Sequence, residues 1–455
     1  MTTNDAPRTS LVGRYIADGL DRNLPDEVVE KTKHHILDTI AAILTGARLH
    51  PGEAAIRFVT SRGGTEEATV AGSGHRTTTE LAALANAACA HANESDDSHE
   101  PSRTHPGCAV VPAALAVAEA RNRSGRDLLR AVCLGYDVGC GINRSLWEPG
   151  SILRSSVQST HMVGGILGSV AAGSALAGFD ELQARQALSY AAQQASGLTT
   201  WLRDSEHVEK AFDFAGIPSR NGISAVEMVA SGLTGVTDVL DGSPSLYEAF
   251  GNHQKPERLV EELGNVHQIM TANIKLFSVG SPIQAPAQAL TELLAAHTIT
   301  ADDVAEVVCT MPTFYASVVD NRSMPDICLQ YVLAVGLIDG AVTFQNTHDE
   351  DRIVQDEVRE LMSRVDLIHS DEMEEQRQAN LELKLTDGRT LERHVFPVRG
   401  TKDDPMERHE VESKARDLLG GVMDAAAVDR LVETVWNLED LEHASDLAAQ
   451  LVLDD

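Results

Sequence analysis

Leu381–Val395 reads LELKLTDGRTLERHV. Leucines alternate with charged residues up to Asp387-Gly388, and a second alternating segment follows. Period-two alternation around an Asp-Gly dipeptide predicts an antiparallel hairpin. It is the clearest strand signal in the chain, and it decides the fold class because most of the surrounding sequence reads as helix. Val304–Pro312 (VAEVVCTMP) clusters β-branched residues and predicts another strand, with helices over Gln330–Val342 and Asp351–Val365 between the two. Upstream, Pro25–Thr45 opens with proline and acids and repeats Val28, Val29, Ile36, Leu37, Ile40 and Leu44 at helical spacing. Thr78–His91, Cys108–Arg121, Asp127–Gly141 and Glu181–Ser196 continue the helical pattern, and their alanine and glycine content predicts helices packed at close range. After Gly400 the polar stretch TKDDPMERHE breaks the pattern, and helical periodicity resumes from Glu407. The expected fold is therefore mainly α with an α+β insert. A large all-helical domain is built from both chain ends (residues 1–270 and 405–455), and residues 271–404 form a smaller α+β lid domain.

The 455 residues carry 37 Lys and Arg against 68 Asp and Glu, a formal charge of −31. A balance this acidic argues against nucleic acid or an anionic membrane as partner, since either needs a basic footprint. Six cysteines without a CxxC pair, several in apolar runs, predict reduced buried thiols and a cytoplasmic location. The first ten residues show no basic region followed by an apolar stretch, so no secretory signal is expected. Met162–Phe179 (MVGGILGSVAAGSALAGF) approaches membrane-spanning length, but its glycine, alanine and serine predict a tightly packed core helix instead.

The richest chemistry lies in His91–Val111 (HANESDDSHEPSRTHPGCAVV). It places Glu94, Asp96, Asp97, His99 and His105 in a loop between two alanine-rich helices, where carboxylates beside imidazoles can serve as general acid and base. The same residue types could hold a divalent cation, or form a solvated acidic loop. No HExxH or paired ligand spacing is present, so no metal is expected. Lys210 (HVEKAFDFAGIPSRNG) and Lys275 (ANIKLFSVGSP) stand in partly apolar surroundings in a chain with only eight lysines among its 37 basic residues. Either could hold a substrate carboxylate or snorkel from an amphipathic face. Arg203 and His207 could add positive charge. His161 precedes Gly164, Gly165 and Gly168 without forming a phosphate loop. Tyr331 reads as core, or as the lining of a cleft.

Taken together these segments resemble the MmgE/PrpD family, which includes 2-methylcitrate dehydratase, cis-aconitate decarboxylase and iminodisuccinate epimerase. The resemblance runs through LPDEVVEKTKHHILDTIAAILTG, DDSHEPSRTHPGCAVVPAALAVAE, the helix after His161, EKAFDFAGIPSRNGISAVEMVASGLTGV, Lys275–Leu290, LQYVLAVGLIDG and DPMERHEVESKARDL. It implies a helical domain with an α+β lid, a homodimer, and an active site in the cleft between domains. It also implies small di- or tricarboxylate substrates and no organic cofactor. His105 in THPG matches the catalytic histidine, and Lys210 and Lys275 match two pocket lysines. Glu94-Ser95-Asp96-Asp97-Ser98 stands where the family carries an Asp-x-Asp-Asp-Thr run, and Tyr331 matches a tyrosine facing the cleft. Three departures remodel the pocket. The family's second histidine aligns near Ser159, with His161 two positions later. Asp213 stands where a histidine is common, and Ser278-Val279-Gly280-Ser281 replaces a Cys/His-rich stretch.

The expected activity is that of a cofactor-independent lyase, a dehydratase or decarboxylase, removing a proton alpha to a carboxylate of a small di- or tricarboxylate. The alternatives are an isomerase or epimerase using the same groups, and a non-catalytic polycarboxylate-binding dimer. His105, Lys210, Lys275, Glu94, Asp97 and His161 are the expected catalytic residues; Ser98, Arg203 and Tyr331 are the expected substrate-binding ones. A strongly anionic protein must gather cations locally to bind an anionic substrate.

Overall fold

The computed structural model describes residues 7–147, 157–251, 254–374 and 376–453. The chain forms two compact units: one takes residues up to Ala92, Asp96–Ala272 and the chain from Arg408, and the other takes Asn93–Ser95 with Asn273–Glu407. The sequence pattern puts residues 93–95 in the helical part. They group with the second unit because Lys275 Nζ donates to the Glu94 carbonyl and His348 Nε2 bonds the Asn93 carbonyl.

The first unit is helical. Its principal helices are α1 (Arg8–Ala17), α2 (Asp26–Gly46), α3 (His50–Thr60), α4 (Thr79–Ala90), α5 (Pro106–Ala120), α6 (Gly125–Leu146), α7 (Thr160–Ala177), α8 (Glu181–Gln194) and α9 (Ile217–Ala230). The Arg408–Leu419 helix returns against α2, where Lys414 Nζ lies 2.6 Å from the buried Asp38 carboxylate. Capping boxes start α6 (Ser124 with Asp127) and α8 (Asp180 with Gln183), satisfying amide groups that the helices cannot pair themselves. Small residues set the spacing of α6 and α7. A Cβ on Gly139 would sit 2.5 Å from the Gly164 carbonyl oxygen and 2.9 Å from Gly168 Cα, so only glycine permits this approach. Helix α7 is long and apolar enough to cross a membrane by length and composition, but nearly all of it is buried inside the first unit, as expected for a core helix.

The second unit carries a four-stranded sheet: β1 (Val304–Pro312), β2 (Val365–Ser370), β3 (Ala379–Leu385) and β4 (Thr390–Val395), in spatial order β2-β1-β3-β4. Strands β1 and β2 are parallel, and the other neighbours are antiparallel. Ala379, Leu381, Leu383 and Leu385 face inward while their neighbours are only half-buried, which is the alternation visible in the sequence. The hairpin turns through Gly388 at φ +90°, a conformation glycine adopts without a side-chain clash.

Two expectations are corrected here. The segment Asp351–Val365 is not one helix: it holds a short turn at Arg352–Val354 and a helix at Asp356–Met362, and strand β2 begins at Val365. Only Val365 of β2 is buried, so this edge strand had no inward-outward alternation to announce it. Tyr331 does not face a cleft. Its side chain is fully buried in the core of the second unit, and its hydroxyl donates to the Asn346 and Asp349 carbonyls at 2.7 and 3.1 Å.

Candidate active site

Helix α4 ends at His91, and the chain runs through an almost fully buried loop to His105, the residue that precedes α5. Asp97 fixes this loop. Its carboxylate accepts from the Gly107 amide (2.8 Å) and the Tyr136 hydroxyl (2.6 Å), and it bonds His35 Nδ1 (2.7 Å). An amide of the first helical turn thus receives the acceptor that helix starts require, and the end of α5 is tied to α2 and α6. Burial pushes the Asp97 carboxyl up to about 6, against the pull of Tyr136. Its oxygens are engaged in these bonds, which hold the loop against the start of α5, α2 and α6.

The carboxylate at the imidazoles is Asp96. Its Oδ2 lies 2.9 Å from His91 Nδ1 and 3.1 Å from His105 Nδ1. When both rings donate from Nδ1, Nε2 carries the lone pair, the usual way a carboxylate fixes a histidine tautomer. His91 is buried and its ring centre is 5.1 Å from that of His105 and 5.2 Å from that of His207. His161, in the first turn of α7, lies 5.3 Å from His105. Burial holds the His161 imidazole well below its ordinary value, and the nearby His105, His91 and Lys210 add to this, so it is neutral near pH 7.

Aromatic rings pack these groups together. Phe214 stacks on His161 at 3.5 Å between centroids and on His91 at 4.5 Å, and Trp201 meets Phe214 edge-on at 4.7 Å. Lys210 Nζ stands 5.3 Å from the Phe214 ring centre and 5.9 Å from that of Trp201, within cation–π range. Phe214 is presented by a π-helical turn, Phe212–Gly216, a local insertion frequent at functional sites. His207 precedes this region in a left-handed conformation (φ +60°), which the surrounding packing has to hold in place.

The other expected site residues distribute as follows. Ser98 is buried in the same loop. Arg203 is exposed at the end of the Thr199–Arg203 turn and forms no ion pair or hydrogen bond with the cluster among the described residues, so it is not brought in. Glu94 and Lys275 belong to the second unit and form a buried pair there, with Nζ 3.0 Å from Oε2 and 2.7 Å from the Glu94 carbonyl. The sequence offers Asp96 as one acid among several in the loop, does not single out His91, and gives no sign of the part taken by Trp201 and Phe214. The i, i+5 spacing of His91 and Asp96 across a helix end was the one available signal.

His91, Asp96 and His105 each offer a ligand atom, all within 4.8 Å of one another, so this group could in principle hold a cation. The hydrogen bonds from both imidazoles to one Asp96 oxygen describe an acid–base set equally well.

Two family models match the chain. The MmgE/PrpD N-terminal domain matches residues 12–259, and the MmgE/PrpD C-terminal domain matches residues 277–440. The chain belongs to the MmgE/PrpD family. Curated relatives of this MmgE/PrpD chain include a cis-aconitate decarboxylase of Aspergillus terreus (strain NIH 2624 / FGSC A1156), 25% identical across 93% of this chain and 92% of the relative. The human cis-aconitate decarboxylase is 27% identical across 94% and 91%, and a cis-aconitate decarboxylase-like protein of Aspergillus oryzae is 24% identical across 98% of both.

Two positions at which the MmgE/PrpD resemblance breaks are in direct contact. The Ser159 hydroxyl, at the start of α7, donates to Asp213 Oδ2. Burial pushes the Asp213 carboxyl up to about 7, with Ser159 pulling it down and Glu209 adding to the rise. Between the ordinary carboxyl value of 3.8 and about 7 the folded chain keeps a proton that the unfolded chain has lost. Stability from this group therefore falls as pH rises through that window and levels off above it. Asp213→Asn, which carries no charge at any pH, is expected to remove this slope. It should stabilise the chain by on the order of 2–4 kcal/mol at pH 8 and by about 1–2 kcal/mol at pH 5. Denaturation midpoints of both proteins at the two pH values measure it.

Proposed function

We propose that this MmgE/PrpD chain is a carboxy-lyase that releases CO₂ from cis-aconitate or a closely similar small tricarboxylate, without an organic cofactor. The observation that carries the reading is the assembly of Asp96, His91, His105, His161 and Lys210 around Phe214 in a chain whose curated relatives, matched over nearly their whole lengths, are cis-aconitate decarboxylases.

The chemistry follows from charge. A tricarboxylate brings up to three negative charges to a protein that is already strongly anionic, so Lys210 and protonated imidazole must offset them locally. The carbon–carboxylate bond breaks to give CO₂, and its electron pair passes through the double bond toward a remaining carboxylate. Cations aimed at that developing charge lower the barrier. A proton then closes the sequence by adding to carbon. His105, whose Nδ1 is held by Asp96, delivers it from Nε2, and the imidazole regains its proton from solvent. Phe214 and Trp201 wall the region against water, where charge interactions are stronger than in bulk solvent.

The Ser159–Asp213 contact favours a second reading, because it alters the side of the pocket beside His161: the same proton handling applied to dehydration or epimerisation of a related acid. Incubating the full chain with cis-aconitate and measuring CO₂ against substrate consumed separates these. A one-to-one ratio supports the carboxy-lyase. Consumption with water gained or lost, and no CO₂, supports the second reading. No reaction with any small di- or tricarboxylate overturns both.

A further inference from the structure

A second group of metal-ligating side chains lies in the first unit, built from residues that the proposed chemistry does not use. Cys133 and Asp137 are four residues apart on α6 and so share one face of the helix. His267 approaches from the segment before the Gln268–Thr271 turn. Its Nδ1 lies 3.7 Å from Cys133 Sγ and 2.9 Å from Asp137 Oδ2, and the three ligand atoms all fall within 4.8 Å of one another. A tetrahedral zinc-class ion bonds sulfur at about 2.3 Å and nitrogen or oxygen at about 2.0–2.2 Å, which sets ligand–ligand edges of roughly 3.3–3.7 Å. Small shifts of the side chains bring these atoms onto such edges.

The surroundings orient the ligands. Asp137 Oδ1 accepts from the Gln268 amide at 2.7 Å, so the segment carrying His267 also fixes which oxygen faces the other two ligands. The Tyr15 hydroxyl donates to Oδ2 at 2.8 Å. Such second contacts are what hold first ligands in place at metal sites. The cysteine and Asp137 are buried, while the His267 side chain is 21% exposed and offers access from solvent. Arg22 packs over the Tyr15 ring at 3.5 Å, so the neighbourhood is not purely anionic. A thiolate and a carboxylate together offset a dication.

We propose that Cys133, Asp137 and His267 form a binding site for a zinc-class divalent ion, with water as the fourth ligand. Binding displaces the thiol proton to solvent as the sulfur–metal bond forms, and the proton that His267 Nδ1 shares with Asp137 leaves to solvent or moves to Nε2 as the nitrogen–metal bond forms, so charge balances without any redox step.

Cobalt(II) is the probe, because a cobalt–thiolate bond gives a near-ultraviolet charge-transfer band that histidine and carboxylate ligands do not. Titrating the chelator-treated full chain is expected to give that band, saturating at one cobalt per chain. Cys133→Ser should abolish it and weaken binding at least tenfold, and His267→Gln should weaken binding at least tenfold. His91→Gln should leave the band unchanged, which separates this group from the His91–Asp96–His105 cluster. Absence of the band in the wild-type chain, or a full band in Cys133→Ser, overturns the site. Should Cys133→Ser fail to fold, His267→Gln decides, and unchanged cobalt affinity there overturns the site equally.

Discussion

His105→Asn is expected to lower kcat for cis-aconitate by about 10²–10⁴-fold, the usual contribution of a positioned acid–base group. Asparagine can keep a hydrogen bond to Asp96, so the buried loop retains its partner and the denaturation midpoint should move little. What it removes is the Nε2 that receives and delivers a proton. KM should change far less than kcat, because the attraction for substrate anions also comes from Lys210. Steady-state kinetics with a parallel thermal melt checks both halves. A kcat within a few-fold of wild type would remove His105 from the chemistry.

Lys275→Met should cost about 3–5 kcal/mol of stability, because it leaves the Glu94 carboxylate buried without its cation. Both side chains are almost wholly inaccessible, and the ammonium also donates to the Glu94 carbonyl. Removing both charges is a different matter: Glu94→Gln with Lys275→Met should recover much of the loss, since paired apolar or neutral groups often replace a buried ion pair at little expense. All three tryptophans lie in the first unit, so fluorescence reports on it and not on the second. Amide exchange in β1 and β3 is the appropriate reading, and faster exchange there in Lys275→Met is the expected sign. A loss below about 1 kcal/mol would show that the pair contributes no more than an exposed ion pair does.

The parts of the fold that were legible are those whose physics is local. The alternation in Leu381–Val395 survives as β3 and β4, since one face of β3 is core. The glycine and alanine of α7 survive as close contacts with α6. Strand β2 was missed because an edge strand with one buried residue carries no period-two signal. Tyr331 reads as core or as cleft lining because a tyrosine in an apolar helix looks the same whether its hydroxyl meets a substrate or a backbone carbonyl.

At the candidate site, the loop was legible and the roles within it were not. Asp96 and Asp97 are adjacent and chemically identical, yet one holds His91 and His105 while the other holds Tyr136, His35 and the start of α5. Only the direction of each side chain distinguishes them. Phe214 lay hidden because the π-helical turn that aims it at His91 and His161 leaves no periodic trace. The removal of Asn93–Ser95 from the helical part depends on bonds to Lys275 and His348, residues about 180 and 255 positions away.

The most direct measurement is turnover of cis-aconitate by the wild-type chain in D₂O, with the gas collected and the product analysed by NMR and mass spectrometry. The expected result is one CO₂ for each molecule consumed and one deuterium in each product, bound to a single carbon. Deuterium appearing in recovered substrate with no gas released, or no change in the acid at all, would contradict proton delivery to a decarboxylated carbon by the imidazoles around Asp96.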